Sequence, residues 1–227
     1  MTAAASASLR PALDQGLQAL GLVLSEGQRI QLLAHLDLIA KWSRVYNLTA
    51  VREPEQMLTQ HLLDCLAAVG PLQRELARLG GQPRLLDVGS GAGLPGVVFA
   101  IACPDLQVSC VDTVAKKAAF VGQVAAALGL SNLRGLHARV EALEGPFEVI
   151  SSRAFATLAD FTAGSRLALA SGGLWLAMKG KTPEAEMAEL PPDLDVFHVE
   201  PLAVPGLQAQ RCIVWMRERS VSVGAVG

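Results

Sequence analysis

The N-terminal third of the chain has the hydrophobic pattern of amphipathic helices. Aliphatic residues recur every three positions and are predicted to share one helix face: Ile30, Leu33, Leu36 and Ile39. Ser25 is followed three residues later by Gln28, the spacing of a capping box, which predicts that this helix begins there. A further helix is predicted to start at Pro54 and run to about residue 70, because proline suits a first helical turn. We predict a flexible tail and first helix over 1–20 and a helical region over 21–80.

After Pro83 the pattern changes to short apolar runs separated by helix-like segments. Seven runs are predicted to be strands, at 84–88, 107–112, 132–137, 147–151, 174–178, 195–200 and 212–216. Alternating strands and helices with short connections predict an α/β fold with a mainly parallel sheet that is covered on both faces. No helical pattern separates the last two runs, so we expect these strands to pair antiparallel. This domain is predicted to span 81–219, with a flexible tail at 220–227.

Composition narrows the class of protein. Hydrophobic residues make up 51% of the chain and charged residues 18%, which excludes disorder as the main state. Nineteen basic and 21 acidic residues give a net charge of −2, which argues against a general nucleic-acid coat protein but allows a local basic patch. The longest uncharged stretch, 88–104, is too rich in glycine for a bilayer helix, and no secretory signal is recognised. With no metal-ligand pattern among four cysteines and four histidines, we expect a cytoplasmic protein without metal.

A glycine-rich segment follows the first predicted strand. Gly89, Gly91 and Gly93 would let the chain turn sharply and let a ligand approach the backbone. Residues 91–96 also satisfy the pattern G-x-G-x-x-G, so a dinucleotide-dependent oxidoreductase remains an alternative.

Two acidic residues favour a different cofactor. Asp87, at the end of the first strand, would repel a pyrophosphate and attract a cation. S-adenosylmethionine carries a sulfonium and an ammonium group and no phosphate. Asp112 ends the second strand, where a carboxylate can accept both ribose hydroxyls. We therefore predict an S-adenosylmethionine site; the alternative roles are a turn or helix-capping carboxylate for Asp87 and a helix N-cap for Asp112.

The ends of the later strands are predicted to border the same crevice, because ligands of open α/β sheets bind at the carboxyl ends of the strands. Val140 and Glu141 would border the adenine. Arg153, Lys179 and Lys181 could meet an anionic substrate such as RNA, although Lys181 is as well explained as a solvated loop residue.

The sequence lacks the signatures of two types of base methylation, that of an exocyclic amine and that of cytosine C5. No Asn/Asp-Pro-Pro-aromatic motif and no cysteine nucleophile follow the fourth strand. A base nitrogen with a free lone pair, such as guanine N7, needs neither, because positioning against the methyl donor is sufficient. No general base or nucleophile is therefore assigned, and Arg153 is the candidate for a positioning role.

Several segments in a fixed order resemble one family. They are Lys41-Trp42, Tyr46-Asn47-Leu48-Thr49, His61-x-x-Asp64, residues 87–96, Ser152-Arg153-Ala154-Phe155-Ala156 and Met178-Lys179-Gly180. Over about 20–216 the chain resembles the RsmG (GidB) family of bacterial 16S ribosomal RNA guanine-N7 methyltransferases. The resemblance implies a Rossmann-like, seven-stranded S-adenosylmethionine-dependent methyltransferase fold with a helical N-terminal region. It also implies methyl transfer to guanosine 527 of 16S rRNA, which we expect within a 30S particle.

By the same resemblance, the cofactor contacts fall on Gly89, Leu94, Val140, Glu141 and Arg153; Asp87, Gly91, Gly93 and Asp112 are added from the reasoning above. Asn47 and Arg52 are further candidates for RNA contacts. His61 and Asp64 are expected to form a structural pair on one helix face that closes the N-terminal region over the crevice; the alternative is that they contact the substrate. We expect a monomer. A non-catalytic ribosome-assembly factor with the same fold remains an alternative.

Overall fold

The computed structural model describes residues 8–153, 155 and 157–219. The tail segments at 1–7 and 220–227, which were predicted to be flexible, lie outside the described residues. The N-terminal region is helical, as predicted. Its elements are α1 (Arg10–Ala19), α2 (Glu26–Tyr46), α3 (Pro54–Met57), a π-helix (Leu58–Leu63), α4 (Asp64–Leu66) and α5 (Val69–Leu79).

Helix α2 begins at the predicted capping box. The Gln28 backbone N–H donates to Ser25 Oγ (3.3 Å), and the Ser25 N–H donates to Gln28 Oε1 (2.8 Å). Leu36 and Ile39 are fully buried, but Ile30 is 56% exposed, so its predicted place on the buried face is wrong. A spacing of three residues drifts by about 60° per step around a helix of 3.6 residues per turn. Ile30 therefore lies opposite Ile39, and Leu32 takes the buried position instead.

The seven predicted strands are confirmed and form one sheet. They are β1 (Arg84–Val88), β2 (Gln107–Asp112), β3 (Leu133–His137), β4 (Phe147–Ser152), β5 (Leu169–Lys179), β6 (Leu194–Pro201) and β7 (Cys212–Glu218). The strand order is β3-β2-β1-β4-β5-β7-β6. The first five strands are parallel, while β7 runs antiparallel between β5 and β6.

Helices and turns connect the strands. They are α6 (Gly96–Ala102), α7 (Ala115–Leu128), a 3-10 turn (Val140–Ala142), α8 (Leu158–Ser165), a second 3-10 turn (Arg166–Ala168) and α9 (Glu184–Ala188). Among the residues that the structure describes, no helix has both the length and the apolar character that crossing a bilayer requires.

Neighbouring residues of each strand point to opposite faces, so the sheet separates two apolar cores. Leu85 belongs to the core that contains α2, α6 and α7, and Leu86 to the core that contains α8. The helical N-terminal region thus shares one core with the sheet. Polar contacts reinforce this packing: Gln28 Nε2 donates to the Ile101 carbonyl (2.7 Å), and His35 Nε2 lies 2.9 Å from the carbonyl of Ala92 in the glycine loop.

Candidate active site

The strand order reverses between β1 and β4, which places a crevice at the carboxyl ends of these strands. The glycine loop leaves β1 at this point, with φ of +68° at Gly89, +57° at Gly91 and +76° at Gly93. These are left-handed conformations that glycine adopts without strain. A cleft of about 480 Å³ opens beside the loop, a size typical of small-molecule sites. Its lining includes Val88, Gly89, Val111, Asp112, Val114, Lys117, Val140, Glu141 and Phe155.

Asp112 connects the second strand to the glycine loop. Its Oδ2 accepts from the Gly91 N–H (3.1 Å) and its Oδ1 from the Val114 N–H (2.9 Å). A carboxylate has about four acceptor positions, so each oxygen retains one for a ligand. Val114, rather than Asp112, is the N-cap of α7. Asp112 therefore supports the glycine loop and also lines the cleft.

The turn after β3 forms the opposite wall of the cleft. Val140 is buried and contributes an apolar surface, together with Val111 and Phe155. Glu141 is exposed at the mouth, and a hydrogen bond from its own backbone N–H lowers the pKa of its carboxyl. Apolar walls beside two carboxylates suit an adenosine group, whose flat aromatic ring packs on apolar side chains and whose ribose hydroxyls donate hydrogen bonds.

Asp87 lies beneath the glycine loop and does not line the cleft. Its carboxyl is fully buried, with Oδ2 accepting from the Gly96 N–H (3.0 Å) and Oδ1 from the Ser151 hydroxyl (2.9 Å). Burial raises its pKa to about 7, although these two hydrogen bonds act in the opposite direction. This geometry matches the role of a turn carboxylate, the alternative considered above. A contact between Asp87 and a cationic cofactor stays a prediction.

The cleft brings together only some of the predicted cofactor residues. Leu94 is 4% exposed, and a side chain at Gly93 would collide with Val97, so both lie in the interior of the loop. Arg153 lines a different cavity. The residues that do surround the cleft are Gly89, Asp112, Val140 and Glu141, with Gly91 tied to Asp112.

A second cavity of about 360 Å³ lies at the ends of β4 and β5 and the start of β7. Its lining residues are Gln60, His61, Asp64, Arg153, Met178, Lys179, Gly180 and Arg211. Arg153 Nη1 donates to the Gln60 carbonyl (2.9 Å) and to Asp64 Oδ2 (3.2 Å). Phe155 lines the first cleft and also a small gap. Met178 and Lys179 line the same gap and the second cavity, so the two cavities are neighbours.

The predicted pair of His61 and Asp64 does not form. His61 Nε2 lies 2.9 Å from Thr49 Oγ1, while Asp64 binds Arg153 and Arg211. Two arginines satisfy the buried carboxylate better than a histidine whose pKa falls to about 4 because the ring is desolvated. Arg211 is a residue that sequence reasoning missed.

Of the other candidates for RNA contacts, Lys179 lines the second cavity, whereas Asn47 and Arg52 line neither cavity. Asn47 ends α2 in a left-handed conformation, and its Oδ1 accepts from Arg52 Nη2 (3.1 Å). Lys179 Nζ donates to Glu186 Oε2 (2.8 Å), and the exposed Lys181 borders an adjoining groove. Contacts of Asn47, Arg52, Lys179 and Lys181 with RNA remain predictions. In the described part of the chain, no group of three histidine, cysteine, aspartate or glutamate residues is placed to hold a metal ion.

Gly91→Val is expected to abolish binding of S-adenosylmethionine while the protein stays folded. A β-branched residue at φ +57° costs about 1–2 kcal/mol, and the strain would fall on the residue whose N–H binds Asp112 in the cleft wall. The matched control is Gly21→Val, at φ +66° far from the cleft, with open space around it. Titration calorimetry and circular dichroism should show a similar loss of stability in both variants and a loss of binding only in Gly91→Val. Equal binding in both would mean that the loop does not hold the cofactor.

Asp87→Asn is expected to change how stability depends on pH. The unfolded carboxyl loses its proton near pH 4, but the folded one keeps it to about pH 7, so the folded state binds more protons between these values. Asp87 therefore makes the free energy of unfolding fall as the pH rises from 4 to 7. The buried His35 and His61, each with a pKa near 4, act in the opposite direction below pH 6.5. Urea unfolding of wild type and of Asp87→Asn at pH 5 and pH 8 isolates the contribution of Asp87. The part of the change in free energy of unfolding that is due to Asp87 should vanish in the variant. An equal change with pH in both proteins would contradict the raised pKa of Asp87.

These features define the class of the protein. A seven-stranded sheet with an antiparallel β7, a glycine loop after β1 and an acid at the end of β2 belongs to an S-adenosylmethionine-dependent methyltransferase. A solved S-adenosylmethionine-dependent methyltransferase from Aquifex aeolicus shares the fold, with a TM-score of 0.50 and 17% identity over 72% of this chain and 98% of that one.

The family model for rRNA small subunit methyltransferase G matches residues 28–214, and the chain belongs to this family. It is 65% identical to the ribosomal RNA small subunit methyltransferase G of Acidovorax ebreus, over 96% of this chain and 99% of the relative. It is 62% identical to the protein of the same name from Paracidovorax citrulli, over 100% and 97% of the two chains. The expected family is confirmed, and the alternative of a dinucleotide-dependent oxidoreductase is not supported.

Proposed function

We propose that this protein transfers a methyl group from S-adenosylmethionine to N7 of a guanosine in 16S ribosomal RNA, at position 527 by family resemblance. The observation that carries the proposal is the arrangement of Asp112, Val140 and Glu141 around one cleft, beside a cavity with three cations, in a chain of the family described above. The 30S particle is proposed as the form in which the RNA is presented.

The cleft has the groups that an adenosine cofactor requires. Asp112 keeps free acceptor positions for the two ribose hydroxyls, and Val111, Val140 and Phe155 offer apolar surface for the adenine. S-adenosylmethionine, when bound, supplies an electrophilic methyl group on a positively charged sulfur. The residues of the chain then have to orient this group toward β4, where the second cavity begins.

The second cavity suits the RNA. Arg153, Lys179 and Arg211 line it and can meet phosphate oxygens, which are the dominant contact points of nucleic acids. Guanine N7 has an in-plane lone pair, so no proton has to be removed before it accepts a methyl group. The protein therefore has to hold N7 in line with the methyl donor and to exclude water. Its catalytic effect comes from positioning the two reactants.

The test is a methyl-transfer assay on defined RNA substrates. Purified protein is incubated with tritiated S-adenosylmethionine and either naked 16S RNA or 30S particles from cells that lack this protein, and the modified nucleotide is mapped by mass spectrometry. We expect a single N7-methylguanosine and faster transfer to particles. Binding to particles without transfer would instead identify a non-catalytic assembly factor, and faster transfer to naked RNA would contradict the particle as substrate.

We further propose that the protein acts as a monomer in the cytoplasm, where ribosomal subunits are assembled. The large apolar side chains exposed on its described surface are few: Val23, Ile30, Val45, Tyr46, Val114 and Leu167. Sedimentation equilibrium should give a mass near 23.8 kDa, and a mass of twice that value would contradict the monomer.

A further inference from the structure

One buried carboxylate holds two arginines at the second cavity. Asp64 is almost fully buried, with a side chain 4% exposed. Its Oδ2 accepts from Arg153 Nη1 (3.2 Å), and its Oδ1 accepts from Arg211 Nε (2.8 Å). Arg153 follows β4, and Arg211 precedes β7. A single side chain of the N-terminal region therefore fixes the distance between two guanidinium groups that come from different parts of the sheet.

The two arginines retain donors that these contacts do not use. Arg153 also donates from Nη1 to the Gln60 carbonyl, and Arg211 donates from Nη1 to the Gln210 carbonyl (2.8 Å). Among the contacts of the described residues, Nη2 of each arginine has no partner. Two guanidiniums around one carboxylate leave a net positive charge, whereas Lys179, which also lines the cavity, is paired with Glu186 (2.8 Å). Such a site favours an oxyanion.

A second observation also indicates a ligand here. His61 lines the same cavity and is 5% exposed, and its Nδ1 is buried without a hydrogen-bond partner in the described structure. Buried polar atoms are normally satisfied, so an exception beside a cationic cavity needs a reason. His61 and the Gln60 carbonyl also belong to the π-helix, a type of turn that is frequent at functional sites.

We propose that Arg211 binds a phosphate of the RNA beside the target nucleotide, and that Asp64 is the positioning residue that fixes Arg211 relative to Arg153. This inference rests on the proposed function. The alternative oxyanion is the carboxylate of the cofactor, which shares the same chemistry. Arg153 follows β4, the strand next to β1 and its glycine loop, whereas Arg211 lies on the side of the cavity formed by β7. We therefore assign the oxyanion bound by Arg211 to the RNA.

The test compares Arg211→Gln with Arg217→Gln. Arg217 lies on β7, the strand that Arg211 precedes, and pairs with Asp195 on the surface (2.9 Å), outside both cavities, which makes it a matched control. Initial rates of methyl transfer are measured against the concentration of 30S particles at several salt concentrations, and affinity for S-adenosylmethionine is measured by calorimetry. Wild-type protein is measured in parallel.

Arg211→Gln should raise KM for particles at least tenfold and leave the Kd of S-adenosylmethionine within twofold of wild type. The slope of log(kcat/KM) against log salt should become shallower by about one, the change expected when one phosphate contact is lost. Arg211→Lys should fall between wild type and Arg211→Gln, because lysine keeps the charge but loses the fork. Arg217→Gln should behave as wild type in all three measurements.

The role of Asp64 is tested by a double-mutant cycle. Asp64→Asn should raise KM for particles as Arg211→Gln does, and combining the two changes should add little to this KM, because both remove the placed Arg211 guanidinium. The Kd of S-adenosylmethionine in Asp64→Asn is measured separately, because Asp64 also holds Arg153. Should Asp64→Asn fail to fold, Asp64→Glu keeps the charge and displaces the carboxylate by one methylene. We expect it to keep a native circular dichroism spectrum and to show the same rise in KM.

Distinct outcomes would overturn each part. A loss of cofactor affinity in step with the rate in Arg211→Gln would assign Arg211 to the cofactor, and an unchanged KM and salt slope would remove it from the site. Fully additive effects would reduce Asp64 to a structural residue. If wild-type protein itself transfers no methyl group to the RNA, the proposed function fails, whereas an active wild type with an equally active Arg211→Gln refutes this inference alone.

Discussion

Asp112→Ala is expected to lower the affinity for S-adenosylmethionine about 100-fold, which corresponds to about 2.7 kcal/mol. The substitution removes the carboxylate that we propose accepts hydrogen bonds from the ribose hydroxyls, and one such bond to a charged acceptor is worth about 1.5–3 kcal/mol. It also removes the acceptor of the Gly91 N–H, although the Gly89 and Ser90 N–H groups still donate to the Val111 carbonyl of β2. Titration calorimetry at constant pH and salt measures the change directly.

The control for this prediction is Asp105→Ala. Asp105 is an exposed acid just before β2, at the opposite end of the strand from the cleft, so its loss removes the same charge without touching the site. Its affinity for S-adenosylmethionine should equal that of wild type. If Asp112→Ala unfolds more easily but binds as tightly as wild type, Asp112 supports the loop and does not contact the cofactor.

Most of the sheet could be predicted because most of its strands are short, largely apolar runs bounded by charged, glycine or proline residues. The start of β5 is the exception. The strand was predicted at 174–178 but begins at Leu169, because Gly172 and Gly173 interrupt the apolar pattern. The pairing of β4 with β5 is irregular between Phe147 and Val149, which lets the chain continue as a strand through this polar stretch. Local pattern carries no information about such irregularities of pairing.

The helical region was predictable in kind but not in detail. One helix was predicted from Pro54 to about residue 70, and the structure has α3, the π-helix and α4 in its place, with α5 beginning at Val69. Apolar residues spaced three or four apart are compatible with α and π turns alike. The contact that distinguishes them here is tertiary: the Gln60 carbonyl accepts from Arg153, which lies 93 residues further along the chain.

The candidate site was predictable where it depends on strand ends. Asp112 ends the parallel strand β2 and Glu141 follows the parallel strand β3, so topology alone brings them to one cleft. The depth of Asp87 was not predictable, because sequence spacing does not reveal that the loop folds over its carboxyl. Arg211 was missed for another reason. It precedes a strand, and only the antiparallel direction of β7 brings that strand's start to the carboxyl ends of β4 and β5.

Arg153→Ala is expected to lower the rate of methyl transfer at least 100-fold, and Arg153→Lys about tenfold, with both proteins folded. Arg153 Nη1 donates to the Gln60 carbonyl and Asp64 Oδ2 together, and the rest of the guanidinium remains for a carboxylate or phosphate. Lysine keeps the charge but lacks the planar fork that lets the rest of the guanidinium bind an oxyanion bidentately. The control is Arg166→Ala, which removes an exposed arginine that also bridges two carboxylates, those of Asp193 and Glu218. It should transfer methyl groups at the wild-type rate.

The two roles considered for Arg153 give different results in the same variants. If Arg153 holds the carboxylate of the cofactor, the affinity for S-adenosylmethionine in Arg153→Ala falls in step with the rate, because the lost contact exists before the RNA binds. If Arg153 holds the RNA, the cofactor affinity survives, and the loss occurs in KM for particles, with a weaker dependence on salt. We expect the first result, since Arg153 follows β4, which pairs with β1 beside the glycine loop, while Arg211 lies toward β7. Full activity in Arg153→Ala would exclude both roles and would leave Asp64 and Arg211 to form the site without it.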